Sequence, residues 1–321
     1  MSLIHPVVIP SSFISKTNRH YTLAIYRGDL EHADAPGNKW HKLQHHLTQA
    51  KKRKAKVIAT FGGPFSNHLH AFAKTLESTP FQAIAVVRGE LQPTLTPTLI
   101  DAVASGVELW PSSRSDYRSG CSSAVVDDIN RCYGDVYWIP EGGGGLLGAF
   151  GCRDWAGNIS YLDSEYDAWA VSAGTGTTAA GLLSHEQTPH LHVFSALKGA
   201  EQQKLEIVEL AHSLVADGSS IEQVSAKLSF YADCHEGGYA KQSKALMDFM
   251  ADFAIANPEQ ALDPVYTSKS LFAICKAMQA GRWPHERTLF IHTGGLQGWR
   301  GYPPSNNPFS SYCKLSLDGE A

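Results

Sequence analysis

The chain lacks any apolar run close to the roughly 20 residues that a transmembrane helix needs. Its first residues, Met-Ser-Leu-Ile-His-Pro, also lack the charged and apolar regions of a secretory signal. The six cysteines are scattered over 321 residues with no Cys-x-x-Cys pair. This spacing favours reduced thiols over a disulfide framework. We therefore expect a cytoplasmic protein without a membrane partner.

A long basic run is missing as well, and the formal net charge is −4. The densest basic cluster, 51–54, ends a predicted helix, where cations complement the negative end of the helix dipole. We favour that role over nucleic-acid binding. His45 and His46 are adjacent, so they cannot share a metal ion from one helix face, and no metal site is predicted.

Strand and helix signals alternate along the sequence, which is typical of an α/β fold with parallel sheets. The predicted strands are 21–26, 56–61, 82–87, 107–110, 135–139, 168–172 and 288–292, and the predicted helices include 41–52, 66–76 and one starting at 178. No repeat or Pro/Ser-rich linker divides the chain, and its last third is predicted to be mostly helical before 288. We predict two interleaved three-layer α/β/α lobes: a larger domain of residues 1–42 and 151–321, with a smaller domain of residues 43–150 inserted in it.

A glycine- and threonine-rich turn joins a strand to an alanine-rich helix within residues 170–181. Glycines let an anion approach the backbone, and the free N–H groups of a helix start favour negative charge. The pattern is neither a Walker loop nor a Rossmann fingerprint. It predicts either a phosphate cradle or a plain tight turn, formed by Ala173, Gly174, Thr175, Gly176 and Thr177.

Lys39 stands out among the lysines because Gly37 and Asn38 precede it at the start of a helix. Partial burial and the positive helix end would lower its pKa and make it a better imine former. The alternatives are an ordinary surface lysine, or Lys42 on the same helix face as the reactive amine.

A second strand–turn–helix junction spans residues 62–68, and its N–H groups suit a carboxylate. Ser66 is either an acid–base group or a helix cap, and Asn67 is a candidate amide partner. No Gly-x-Ser-x-Gly elbow is present, so a serine hydrolase fits less well.

Together with two later motifs, these segments resemble the pyridoxal-5′-phosphate (PLP) family of D-cysteine desulfhydrases and 1-aminocyclopropane-1-carboxylate (ACC) deaminases. That family is a branch of the tryptophan-synthase-β-like, fold type II enzymes. The motifs are Gly-Asn-Lys-x-x-Lys-Leu (37–43), Gly-Gly-x-x-Ser-Asn-His (62–68), the glycine/threonine loop (174–178), Asp-Pro-Val-Tyr (263–266) and His-x-Gly-Gly (292–295). The resemblance runs from roughly Tyr26 to Tyr302 and implies PLP in a cleft between two lobes, a small amino-acid substrate and a homodimer.

The resemblance also implies roles for individual residues. Lys39 matches the Schiff-base lysine that later moves the α-proton, and Asn67 matches the partner of the cofactor's 3′-oxygen. Cofactor binding is further implied for residues 173–177 and Thr293, substrate binding for Ser66, Asn67, His68 and Tyr266, and catalysis for Lys39, Ser66, Tyr239 and Tyr266.

Two threonines indicate the branch of the family. Thr267 and Thr293 stand where ACC deaminases carry Glu and Leu, and His68 stands where they usually carry Gln. A carboxylate beside the pyridine nitrogen would keep it protonated, whereas a hydroxyl leaves a weaker electron sink. Such a sink is adequate for expelling a thiolate and less suited to opening a cyclopropane. Simple drift at these positions is the alternative explanation.

The sequence thus predicts a lyase that converts D-cysteine to pyruvate, hydrogen sulfide and ammonia. An ACC deaminase is the second reading, and a catalytically weak PLP-binding protein is the third. The segment Glu141–Gly145 departs from the pattern of the family, so the preferred substrate side chain stays open. Its glycine run predicts either a mobile hinge or a loop that closely approaches another segment.

Overall fold

The computed structural model describes residues 2–91, 93–162, 165–215 and 218–310. The strands are β1 (Ile4–Pro6), β2 (Thr22–Tyr26), β3 (Val57–Gly62), β4 (Gln82–Arg88), β5 (Val107–Ser112), β6 (Val136–Ile139), β7 (Ala168–Ala173), β8 (His190–Ser195), β9 (Leu228–Tyr231) and β10 (Arg287–Ile291). The helices are α1 (Asn38–Lys52), α2 (Asn67–Leu76), α3 (Pro97–Ala104), α4 (Arg114–Tyr117), α5 (Ala124–Tyr133), α6 (Gly145–Leu162), α7 (Thr177–Leu183), α8 (Gln203–His212), α9 (Ile221–Ala226), α10 (Lys244–Ala256) and α11 (Thr267–Gln279). Within these ranges no helix combines the length and apolar character needed to cross a membrane.

Two sheets organise the chain. One has six strands in the order β1-β2-β10-β7-β8-β9, and the other has four in the order β5-β4-β3-β6. Every pairing between these strands is parallel except that of β1 with β2. The predicted α/β fold with mostly parallel sheets is confirmed.

Side chains of the larger sheet alternate between two hydrophobic cores. Trp169 and Val171 join the core under α6, α7 and α8, whereas Ala170 and Phe290 join the core under α10 and α11. Because successive side chains of a strand point to opposite faces, a strand covered on both sides reads as a continuous apolar run. The smaller sheet has the same arrangement, with separate cores on its two faces. Both lobes therefore have three layers.

Three strands were not predicted from the sequence: β1, β8 and β9. The last third was expected to be mostly helical before 288, and the short strand β9 stands there among α9, α10 and α11. In β8, His190 and His192 interrupt the apolar pattern, although His192 is fully buried. Histidine counts as a polar residue in a hydropathy pattern, so a strand with two histidines was not predicted.

The predicted domain limits, 42/43 and 150/151, fall inside α1 and α6. These two helices pack closely, since a Cβ placed on Gly151 would lie 1.9 Å from the His41 carbonyl oxygen. All strands of the four-stranded sheet lie between residues 57 and 139. The division into residues 1–42 with 151–321 and residues 43–150 stays a prediction.

The turn before α1 is locked against the turn after β10. Gly37 has φ +80°, and a Cβ placed on it would lie 2.2 Å from the Thr293 carbonyl oxygen. The Asn38 N–H donates to that same oxygen at 3.3 Å. In the same way, a Cβ placed on Gly294 would lie 2.5 Å from the Pro36 carbonyl oxygen. Backbone thus packs on backbone, and the start of α1 is fixed at the end of β10.

Replacing Gly37 by Ala tests this contact. Gly106 is the matched control because its φ is +84° and nothing lies within 4 Å of a Cβ there. Gly106→Ala should lower the free energy of unfolding by about 1–2 kcal/mol, the cost of a left-handed conformation alone. Gly37→Ala should cost about 2 kcal/mol more, because the clash with Thr293 adds to that strain. Urea denaturation measures both, and equal losses would contradict the close packing.

Candidate active site

Lys39 is the second residue of α1, which begins three residues before the predicted start at 41. Its side chain is half-buried, and its Nζ donates to the Asn38 Oδ1 at 3.3 Å. Burial, followed by the charge of Lys42, lowers the pKa of Lys39 to about 7. Lys42 is only 2% exposed, and its Cβ would lie 3.1 Å from a Cβ on Gly143. Lys39 is therefore the more accessible of the two candidate amines.

Asn38 connects three parts of the site. Its Nδ2 donates to Thr178 Oγ1 at 2.8 Å, and its backbone N–H bonds the Thr293 carbonyl. The side chain is buried, with the residue 7% exposed. Asn38 belongs to the motif at 37–43, but no role was predicted for it. In the structure it holds Lys39 beside the first turn of α7.

The predicted glycine/threonine loop follows β7 and leads into α7. Ala173 ends the strand, and Gly176 adopts the left-handed conformation that precedes the helix. Within the described ranges, the N–H groups of Gly174, Thr175 and Gly176 donate to no acceptor. The hydroxyls of Thr175 and Thr177 lie 3.3 Å apart. This set of unpaired donors suits a bound anion.

Two further side chains fix this loop. Gln203 donates from Nε2 to the Gly174 carbonyl at 2.5 Å. Its buried Oε1 has no hydrogen-bond partner among the described residues. On the other side of the loop, a Cβ on Gly174 would lie 3.1 Å from the Tyr266 ring. Gln203 was missed because it belongs to no motif.

The Ser66–Asn67 turn opens α2. Ser66 caps the helix, because its Oγ accepts from the Leu69 N–H at 3.3 Å. Ser66 is therefore a helix cap, and its catalytic role stays a prediction. Asn67 Oδ1 accepts from Gln297 Nε2 at 2.9 Å, and Asn67 Nδ2 would lie 2.7 Å from a Cβ on Gly295. Asn67 is thus held against the turn that follows β10.

His68 offers an unused acceptor. Its Nε2 lies 2.7 Å from the Thr60 Oγ1, and that hydroxyl donates its proton to the Ile139 carbonyl at 3.0 Å. The Nε2 must therefore carry the hydrogen and donate to Thr60. Burial, followed by the charges of Lys39 and Lys42, holds the pKa of His68 well below its usual value. The neutral ring leaves Nδ1 as a buried acceptor without a partner among the described residues.

The two predicted tyrosines lie together, with ring centroids 6.1 Å apart in an edge-to-face arrangement. Tyr239 is 49% exposed and therefore stands at the rim. Tyr266 is half-buried against Gly174. Burial, followed by the neighbouring Tyr239, raises the pKa of Tyr266 well above its usual value. Its phenol accordingly stays protonated and able to donate.

Asp263 organises the turn that carries Tyr266 and was missed as a functional residue. Its Oδ1 accepts from the N–H groups of Val265 and Tyr266 at 2.9 and 2.8 Å. Its Oδ2 accepts from the N–H and the Oγ1 of Thr267 at 2.7 and 2.5 Å. The Thr267 hydroxyl therefore donates to Asp263, so its proton is not available to a pyridine nitrogen. Thr293, which is 9% exposed and follows β10, packs against Gly37 through its backbone carbonyl. Its role in cofactor binding stays a prediction.

The glycine run 142–145 approaches the site closely, which is one of its two predicted roles. A Cβ on Gly143 would lie 3.5 Å from His68 Cε1 as well as against Lys42. Just before this run, Glu141 accepts from the Tyr117 hydroxyl at 2.8 Å. Both residues line a cavity of about 720 Å³ that also carries Arg88, Arg114 and Arg118. The arginines give the cavity a positive side, which attracts anionic groups.

The lowered pKa of Lys39 can be measured in protein freed of any bound carbonyl compound. Only the neutral amine is acylated, so modification of Lys39 should reach half its maximal rate near pH 7, whereas free lysine does so near its reference pKa of about 10.4. Lys42→Met should move this midpoint upward because it removes a neighbouring positive charge. Lys51→Met, on the exposed end of α1, is the control and should leave it unchanged. Mass spectrometry of digested protein reads the modification, and a midpoint above pH 9 would contradict the assignment.

No family model matches the chain, but it is similar to several known proteins. The chain is 26% identical over 297 residues to the mitochondrial bifunctional D-cysteine desulfhydrase/ACC deaminase of Arabidopsis thaliana, covering 86% of this chain and 73% of that protein. It is 24% identical over 314 residues to the D-cysteine desulfhydrase of Salmonella paratyphi B, covering 92% and 94%.

Among solved structures, an ACC deaminase homologue superposes with a TM-score of 0.76 at 24% identity, covering 89% of this chain and 88% of that one. This likeness confirms the fold. The chain is therefore similar over nearly its whole length to D-cysteine desulfhydrases and ACC deaminases, as its five motifs predict.

Proposed function

We propose that this protein is a PLP-dependent lyase that converts D-cysteine and water to pyruvate, hydrogen sulfide and ammonia. The observation that carries the proposal is the position of Lys39 next to the glycine/threonine loop. The hydrogen bond from Asn38 to Thr178 joins these two features at 2.8 Å. An amine with a pKa of about 7 and a loop of unpaired N–H groups are the two attachments that PLP needs.

The residues present fit the cofactor. The unpaired N–H groups of residues 174–176 and the hydroxyls of Thr175 and Thr177 would hold the phosphate. Lys39 would hold the aldehyde carbon, and the Asn67 amide would bind the ring oxygen. When bound, PLP supplies an electron sink for the charge that develops at the substrate α-carbon.

The chain itself supplies binding and proton transfer. Lys39 is the base for the α-proton, since a pKa of about 7 leaves a large neutral fraction at neutral pH. The N–H groups and hydroxyl of the Ser66 turn would orient the substrate carboxylate. Arg88, whose Nη2 would lie 3.3 Å from a Cβ on Gly63, adds positive charge near that turn. Tyr266 stays protonated and can donate to the departing group.

His68 favours D-cysteine over ACC as the substrate. Its Nδ1 is a buried acceptor beside the Lys39–Lys42 face of α1 and needs a donor. The thiol of cysteine is such a donor, whereas the cyclopropane carbons of ACC are not. An acceptor left unpaired by the wrong substrate costs binding free energy.

ACC deamination is the second candidate, because the Arabidopsis relative is named for both activities. A PLP-binding protein with negligible turnover is the third. We further propose that the protein acts as a homodimer in the cytoplasm, as its resemblance to the family implies.

Lys39→Ala tests the attachment of the cofactor. The purified wild-type protein should be yellow, and the variant should lose the colour because it lacks the amine that would hold the cofactor's aldehyde carbon. Lys51→Ala, on the exposed end of α1, is the matched control and should keep it. Absorption spectra of the three proteins at equal concentration measure the outcome. A Lys39→Ala protein with the wild-type spectrum would refute the assignment.

Product assays test the substrate. Sulfide release from D-cysteine should exceed 2-oxobutanoate release from ACC, and His68→Gln should lower kcat/KM for D-cysteine about tenfold, the value of one lost hydrogen bond. The control is His20→Gln, at an exposed position outside the site, which should have no effect. Faster turnover of ACC would reverse the order of the two readings. A yellow protein without product from either compound or from a panel of D- and L-amino acids would favour the third.

A further inference from the structure

Three histidines gather at the start of β8, and the glycine/threonine loop lies at the opposite end of the neighbouring parallel strand β7. His190 and His192 are the first and third residues of β8, so they point to the same face. His285 joins them from the loop before β10. The ring centroids are 4.9 Å (190 to 192), 5.4 Å (190 to 285) and 4.9 Å (192 to 285) apart. One ring nitrogen from each histidine lies within 4.8 Å of the others.

Hydroxyl groups of the neighbouring strand β9 orient two of these rings. His190 Nε2 lies 2.8 Å from Ser229 Oγ, and His192 Nδ1 lies 2.9 Å from the Tyr231 hydroxyl. Metal-binding histidines commonly use one ring nitrogen in this way, which fixes the ring and leaves the other nitrogen for the metal. The second nitrogen of each ring is therefore the candidate ligand.

His192 has an unexplained buried atom. The residue is 0% exposed, and its Nε2 has no hydrogen-bond partner among the described residues. Burial, followed by the two neighbouring histidines, lowers the pKa of His192 to about 3. Burial also lowers the pKa values of His190 and His285. A buried imidazole nitrogen without a hydrogen-bond partner, such as His192 Nε2, can offer its lone pair to a metal ion.

We propose that His190, His192 and His285 bind a divalent transition-metal ion of the zinc class, with water in the remaining position. Three imidazoles suit zinc, copper or nickel, whereas calcium and magnesium prefer oxygen ligands. Nitrogens bound at 2.0–2.1 Å in a tetrahedral site would be about 3.3–3.4 Å apart. His190 and His285 are only half-buried, so their rings have room to close on the ion.

The site is separate from the proposed catalytic centre and does not rest on it. His190 pairs with Ala168 at the start of β7, whereas the glycine/threonine loop follows Ala173 at the end of that strand. Five residues of strand place the two about 17 Å apart. A metal here would tie the start of β8 to the loop before β10 and stabilise the sheet.

The competing explanation is that the histidines only pack with aromatic rings. The centroid of His192 lies 4.4 Å from that of Trp283, which supplies such a partner. Packing alone would fill space around His192 but would give no metal affinity. The two explanations therefore separate in a binding experiment.

The experiment uses untagged, cofactor-loaded protein dialysed against a chelator and then titrated with Co²⁺. One equivalent of Co²⁺ should produce the visible absorption of four-coordinate cobalt, and added Zn²⁺ should displace the Co²⁺ and remove that absorption. His285→Gln, on a half-buried loop position, should weaken binding at least about tenfold through the loss of one ligand. His20→Gln, exposed and outside the cluster, is the control and should bind as the wild type does.

Thermal unfolding gives a second readout. Zn²⁺ should raise the Tm of the wild type and of His20→Gln, and should raise that of His285→Gln by less, because stabilisation by a ligand falls as its affinity for the folded state falls. If His285→Gln unfolds early without metal, His190→Gln takes its place in both measurements. Equal cobalt affinity in wild type and the cluster variants, or no visible absorption, would overturn the proposal and leave aromatic packing as the role of the cluster.

Discussion

The backbone contact between the turn at Gly37 and the turn at Thr293 is the constraint on which the site depends. It joins residues more than 250 positions apart and sets the start of α1 at the end of β10. This contact fixes the positions of Lys39 and Asn38. The Asn38 side chain in turn donates to Thr178 in the first turn of α7. A side chain at Gly37 would separate the lysine from the loop that it faces.

A buried ion pair reinforces the same junction. Arg27 donates to both oxygens of Asp29 at 2.8 and 2.7 Å, and His292 Nδ1 lies 3.4 Å from Asp29 Oδ1. Burial alone would raise the pKa of Asp29, but His292 and Arg27 hold it below its usual value. The charged carboxylate therefore persists inside the protein and fixes the segment after β2 to the end of β10. Replacing either Arg27 or Asp29 by a neutral residue would remove this ion pair and leave the charge of the other residue buried.

The local sequence indicated the candidate site residues, and the structure shows which contacts hold them together. Lys39, the glycine/threonine loop and the Ser66 turn were predicted as candidates from residue types at junctions between secondary-structure elements. The contacts of Gly37 with Thr293 and of Gln203 with Gly174 could not be predicted, because they join segments with no shared pattern. Thr267 shows the same limit, since its bond to Asp263 depends on the fold of a turn. Likewise, β8 was not predicted from hydrophobicity because two of its residues are histidines.

The central claim is that Lys39, and not its neighbour Lys42, carries the cofactor. Both amines lie on one face of α1, but Lys39 is half-buried whereas Lys42 is 2% exposed. The most direct measurement is reduction of the purified protein with borohydride, followed by digestion and mass spectrometry of the modified peptide. The account predicts a pyridoxyl group on Lys39 in nearly all molecules. A pyridoxyl group on Lys42 or another lysine, or none at all, would contradict it.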